Sequence, residues 1–140
     1  MFIRHRLYRS PFESMWTEGI MGQSYRELIA WQKAMEFVME VYRATRTFPH
    51  DEVYGLASQM RRSAVAVPAN IAQGQSRFSG GEFFNLLGRS RGALVEVETE
   101  ALLARDLGYL PVEKADVVLA KAAELGKILN GLINSIRQVA

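Results

Sequence analysis

The 140-residue chain has no cysteine and two histidines. Without cysteine there is no disulfide, no thiolate zinc site and no cysteine nucleophile. With only His5 and His50, the paired Glu-x-x-His motifs of di-iron bundles cannot be built, because neither histidine has a glutamate three residues before it. No apolar run approaches the roughly 20 residues that a membrane-spanning helix needs. No Gly-rich phosphate loop precedes a helix, and no nucleophile stands beside a base. The formal net charge is only +2, so any attraction for an anionic partner has to come from local clustering.

Hydrophobic residues make up 49% and charged residues 23% of the chain, an ordinary balance for one globular domain of this length. Residues 1–23 carry no clean periodicity; Pro11, Gly19 and Gly22 interrupt them. They lack the uninterrupted apolar stretch of a secretory signal and read as a poorly ordered extension of a cytoplasmic protein. Residues 24–140 form the domain proper.

Apolar spacing of three and four predicts four helices there. The first covers about 25–45, with Leu28, Trp31, Met35, Val38 and Tyr42 facing inward. Pro49 ends it. The second covers about 51–73, with Val53, Leu56, Met60, Ala64, Val67 and Ile71 inward and Gly74 placed to terminate it. Ser79-Gly-Gly-Glu82 reads as a capping box for a third helix over about 80–107, with Phe83, Leu87, Ser90, Leu94, Val97, Ala101 and Ala104 inward. Pro111 opens a fourth over about 112–138, with a heptad-like seam of Val118, Ala122, Leu125, Leu129, Leu132, Ile136 and Val139. No strand alternation competes. Long helices joined by short turns imply an all-α, antiparallel, up-down-up-down bundle.

The second helix has an unusual outer face. Val65, Ala66, Ala69 and Ala72 point away from its core stripe, and no charge occurs from position 63 to 76. A helix apolar on both sides is normally buried on both sides, which predicts a homo-oligomer with these four residues at the interface. Alanine is also a good helix former anywhere, so a solvent-facing stripe is the alternative. Pro68 lacks an amide hydrogen, predicting a kink at which Asn70 bonds the freed backbone groups.

Between positions 58 and 94 the basic residues are Arg61, Arg62, Arg77, Arg89 and Arg91, against the single acid Glu82. Arg77-Phe78 is an arginine beside an aromatic in a turn, a stacking pair for an unpaired base. Arginine's forked donors suit phosphate oxygens. These six residues are the candidate RNA-binding patch, placed near the junction of the second and third helices. The alternative is a solvated face with ion pairs, for example to Glu96 and Glu98. Glu96 and Glu100 share a side of their helix, and Glu98 is within reach of Arg91 or Arg105. His50 reads as a solvent-exposed turn residue, and Trp31 as core. The spacing in Arg46-Thr-Phe-Pro-His50 is shorter than the Arg–His spacing of the HEPN nucleases.

The sequence is also similar to a known family. Tyr25-Arg-Glu-Leu-Ile-Ala-Trp31, Phe48-Pro49 with Glu52-Val-Tyr-Gly-Leu, Gln59-Met-Arg-Arg62, Val67-Pro-Ala-Asn-Ile-Ala72 with Gly74, and Gly92-Ala-Leu-Val-Glu96-Val-Glu-Thr99 resemble the four-helix bundle proteins encoded in intervening sequences of bacterial 23S ribosomal RNA genes. These are also called S23 ribosomal proteins. The accessory variability determinant of diversity-generating retroelements is similar. The resemblance implies a homopentamer and, for the retroelement branch, a basic barrel that binds a reverse transcriptase and nucleic acid. Gln73, Ala93 and Glu100 stand where the family commonly has Glu, Ser and Gln. Together these readings point to a non-enzymatic, oligomeric, RNA-associated scaffold without cofactor or metal. The alternative is an adaptor for a protein, such as a reverse transcriptase, without nucleic-acid contact.

Overall fold

Four α-helices account for most of the chain. A computed structural model describes residues 24–77 and 79–137. Among them α1 is Ile29–Thr45, α2 Leu56–Gln75, α3 Gly80–Asp106 and α4 Val112–Arg137, with single 3-10 turns at Tyr25–Glu27 and His50–Glu52 and no strand. They form a four-helix bundle in which α2 and α3 share the most extensive packing, α1 lies against α2 and α4, and α4 against α3. Residues 1–23, the extension expected to be poorly ordered, and the tail from 138 onward lie outside the described residues.

The core is one contiguous cluster that includes Phe37, Met60, Val67, Ile71, Phe83, Leu87, Leu94, Leu125 and Leu129. Each such side chain removed fully from water contributes about 1.5–3 kcal/mol. All seven expected core positions of α3 are buried. On α2 the expected stripe is buried from Leu56 onward, but Val53 is exposed and precedes the helix. α2 begins at Leu56 because the Glu52 carboxylate accepts from the Leu56 amide at 2.8 Å and takes the place of a cap.

Three other expectations are corrected. On α1 the core face is Ala30, Ala34, Phe37, Val38, Val41 and Ala44, while Met35 and Tyr42 are exposed and Trp31 is half-buried. Both faces of α1 are apolar, and the one with small residues turns inward because alanines let the neighbouring helices approach. On α4 Ile133 is buried and Leu132 is only partly so. A straight helix drifts from a seven-residue repeat by about 20° per heptad, which carries the seam from Leu129 to Ile133. Gly74 does not end α2. It lies buried inside the helix, where a Cβ would meet the Phe83 ring at 2.7 Å, so its role is close approach to α3.

Local chemistry sets the helix ends. The Ser79 hydroxyl accepts from the Glu82 amide at 3.4 Å, which is the N-cap half of the expected box. At the other end of α3, Gly108 has φ +77°; its amide donates to Arg105 O at 3.0 Å, and the Tyr109 amide to Ala104 O at 2.9 Å. This is a Schellman closure, which needs the left-handed conformation that glycine adopts without strain. The turn brings Tyr109 against Phe48, ring centroids 6.0 Å apart.

α2 continues through Pro68, which is itself buried. The Asn70 side-chain amide donates to Ala66 O at 2.7 Å, not to Ala64 O, the carbonyl that Pro68 leaves without its helical donor. From α3 the Ser90 hydroxyl donates to Val67 O at 2.7 Å in a fully buried contact.

Candidate nucleic-acid interface

The structure divides the basic residues by location. Lys33 pairs with Glu36 and Glu124 at 3.4 and 3.8 Å, Arg43 with Glu40 at 3.4 Å, Lys121 with Glu40 at 4.0 Å, and Arg105 with Asp106 at 3.1 Å. These pairs sit on α1, α4 and the end of α3. Exposed pairs of this kind are worth about 0–1 kcal/mol each, so their meaning lies in charge balance. Among the described residues none of Arg61, Arg62, Arg77, Arg89 and Arg91 has a carboxylate within ion-pair distance. The pairing considered for Glu96 and Glu98 with these arginines is absent: Glu96 Oε2 accepts from the Ser63 hydroxyl at 3.1 Å, and Arg105 turns to Asp106.

The arginines do not form the single expected patch at the α2–α3 junction. Arg61 and Arg62 lie in the first half of α2. Arg77 follows its last turn, roughly 24 Å along the axis at about 1.5 Å per residue. Arg89 and Arg91 are exposed on α3, and Arg91 reaches α4, where its Nη1 donates to Asn130 Oδ1 at 3.2 Å. Phe78 lies outside the described residues, and with it the stacking pair expected of Arg77 and Phe78.

Arg61 and Arg62 instead border an open groove of about 460 Å³. Its walls are Tyr42 of α1, the turn at Val53 and Tyr54, and Ser58 and Val65 of α2. Arg61 Nε donates to Thr45 Oγ1 at 2.8 Å, and its guanidinium carbon stands 4.7 Å from the centre of the Tyr42 ring. Thr45 Oγ1 in turn donates to Val41 O at 2.8 Å, which leaves a lone pair for Arg61. Arg61 is therefore held by a hydrogen bond and a cation–π contact. Glu52 carries the acid nearest to the groove in sequence, and it is engaged with the Leu56 amide and, at 3.5 Å, with the Tyr109 hydroxyl.

On the outer face of α2, Val65 and Ala69 are exposed, and Ala66 and Ala72 are half-buried. His50 is exposed in its turn. Among the described residues no helix is long and apolar enough to cross a membrane.

Glu100 is the residue whose environment the sequence did not reveal. It is 5% exposed, and neither carboxyl oxygen has a hydrogen-bond partner. Burial pushes its carboxyl above the ordinary value of 4.5, the Ser63 hydroxyl beside it acts the other way, and the Glu96 carboxylate one turn back raises it further. The single Ser63 proton is directed at Glu96, so Glu100 is left without a donor. A wheel drawn through Ala93, Val97 and Ala104 passes through position 100, and that spacing is the signal that could have placed it in the core.

The family model for 23S rRNA-intervening sequence proteins matches residues 26–131. Among solved structures, a protein of unknown function from the S23 ribosomal protein family of Bacteroides thetaiotaomicron VPI-5482 is similar to the chain at 20% identity and a TM-score of 0.71, covering 76% of this chain and 96% of that one. Among curated proteins none matches the sequence.

Proposed function

We propose, from the premise that the chain belongs to the 23S rRNA-intervening sequence protein family, that it works as a non-enzymatic, homo-oligomeric scaffold that associates with RNA in the cytoplasm. The observation that carries this reading is the charge partition. Among the described residues Lys33 and Arg43 of α1, Lys121 of α4 and Arg105 at the end of α3 are offset by neighbouring acids, whereas Arg61 and Arg62 of α2 and Arg89 and Arg91 of α3 have no carboxylate within ion-pair distance. Phosphate is the anion whose oxygens match the forked donors of such guanidinium groups.

Two apolar stripes that no described residue covers support self-association. One is Met35 and Met39 on α1, and the other is Val95 and Leu102 on α3. They are different surfaces, so copies would join head to tail and close into a ring, of five copies as the resemblance implies. Val65, Ala66, Ala69 and Ala72 would lie beside this joint. An up-down-up-down course of the helices is supported by contacts that run in opposite chain directions. Ser63 meets Glu96 while Val67 meets Ser90, and Lys33 meets Glu124 while Glu40 meets Lys121.

Protein purified without nuclease tests the reading. Co-purified nucleic acid, seen in the ultraviolet absorbance ratio, together with sedimentation as an assembly larger than one chain, is the expected result. A nucleic-acid-free monomer that ignores added RNA would contradict it and would favour the protein adaptor.

A further inference from the structure

Among the described candidates for RNA binding, Arg61 and Arg62 border a groove. That groove has three properties of a ligand site. It presents two guanidinium groups and no carboxylate. One of them is pre-positioned: Arg61 spends only Nε on the protein, and neither Nη has an acceptor among the described residues. The third property is aromatic. Tyr54, on the turn at the rim, is 95% exposed. Its ring has a free face and no described partner.

We propose that this groove holds one backbone phosphate and one unpaired base of a single-stranded RNA, the phosphate on Arg61 and Arg62 and the base stacked on Tyr54. The assignment rests on the RNA reading above and moves its contact from the α2–α3 turn to the start of α2. Its volume falls within the range of about 300–1,000 Å³ typical of small-ligand sites, so it has room for one nucleotide. A duplex cannot use it, because paired bases keep their faces inside the stack. An acidic peptide would satisfy the two arginines and leave the Tyr54 ring without a planar partner. Tyr42 takes no part in stacking a base on the face it gives to Arg61.

Fluorescence anisotropy with a labelled single-stranded oligoribonucleotide, its duplex form and a polyglutamate peptide tests the assignment. Tyr54 is exposed, so Tyr54→Ala leaves the fold intact. The parent should favour the single strand over both other probes. Tyr54→Ala should weaken single-strand binding roughly five- to hundredfold, the range for loss of a stacked aromatic. Tyr54→Phe should retain binding, and Lys127→Gln should bind as the parent does. Arg62→Gln should flatten the salt dependence by up to about 0.7 in logarithmic slope, the contribution of one phosphate. If the parent binds RNA and both Tyr54→Ala and Arg62→Gln bind equally well, the groove is overturned while the RNA reading stands. If Tyr54→Ala sediments as a smaller species than the parent, a second copy fills the groove and the assignment is also overturned. If the parent binds no RNA, both fall.

Discussion

Replacing Glu100 by Gln tests how the α2–α3 contact is built. The parent buries a carboxyl group with two unpartnered oxygens one turn from Glu96. An unsatisfied buried polar group costs about 1–3 kcal/mol, more when it is charged. Gln keeps the shape, removes the charge and supplies an N–H donor that can face Glu96, so the variant should be more stable at neutral pH by about 1–2 kcal/mol. The sign of the pH dependence follows from the raised carboxyl. As pH rises past 4.5, the unfolded chain loses the Glu100 proton while the folded chain keeps it. Stability from this group is therefore intact in acid and declines through the window between 4.5 and the raised folded value, and the penalty is constant above it. Urea denaturation of parent and variant followed by circular dichroism from about pH 4 to pH 8 reads the difference, with other carboxylates cancelling in the subtraction. The variant's advantage should be small in acid and grow toward neutrality. An advantage that does not change with pH would refute the account of Glu100.

Gly74→Ala places a methyl 2.7 Å from the Phe83 ring. Overpacking of about 1–3 kcal/mol should outweigh the helix-propensity gain of about 1 kcal/mol, giving a lower denaturation midpoint. Gly131→Ala, at an exposed position of α4, meets nothing within 4 Å and should stabilise the fold through propensity alone, by about 0.5–1 kcal/mol, raising the midpoint. Ser90→Ala removes the buried 2.7 Å bond to Val67 O and should cost about 1 kcal/mol in the same assay.

Much of the fold was legible because apolar spacing constrains long helices strongly. α3 is the clearest case, where every expected inward residue is buried. α1 was misread because bulk is a poor guide on a helix with two apolar faces; the core took Ala30, Ala34 and Ala44, and left Met35 and Tyr42 outside. Gly74 has the composition of a helix stop, and only the Phe83 ring across the interface shows it to be a packing residue. The site was legible in part. Arg61 and Arg62 were singled out by the scarcity of acids around them. Tyr42, Thr45 and Tyr54, which complete the groove with them, come from another helix and from a turn, and their proximity depends on how α1 meets α2. Glu100 is one of three alternating glutamates in the sequence, and its burial depends on the angle at which α3 faces α2.

The most direct measurement is the salt dependence of RNA affinity for the parent and for the triple variant Arg61→Gln, Arg62→Gln, Arg77→Gln. Each phosphate contact on a single strand contributes about 0.7 to the logarithmic slope, so the variant should bind more weakly with a slope flatter by about 1–2. Equal slopes for the two proteins would contradict the claim that these unpaired arginines meet phosphate.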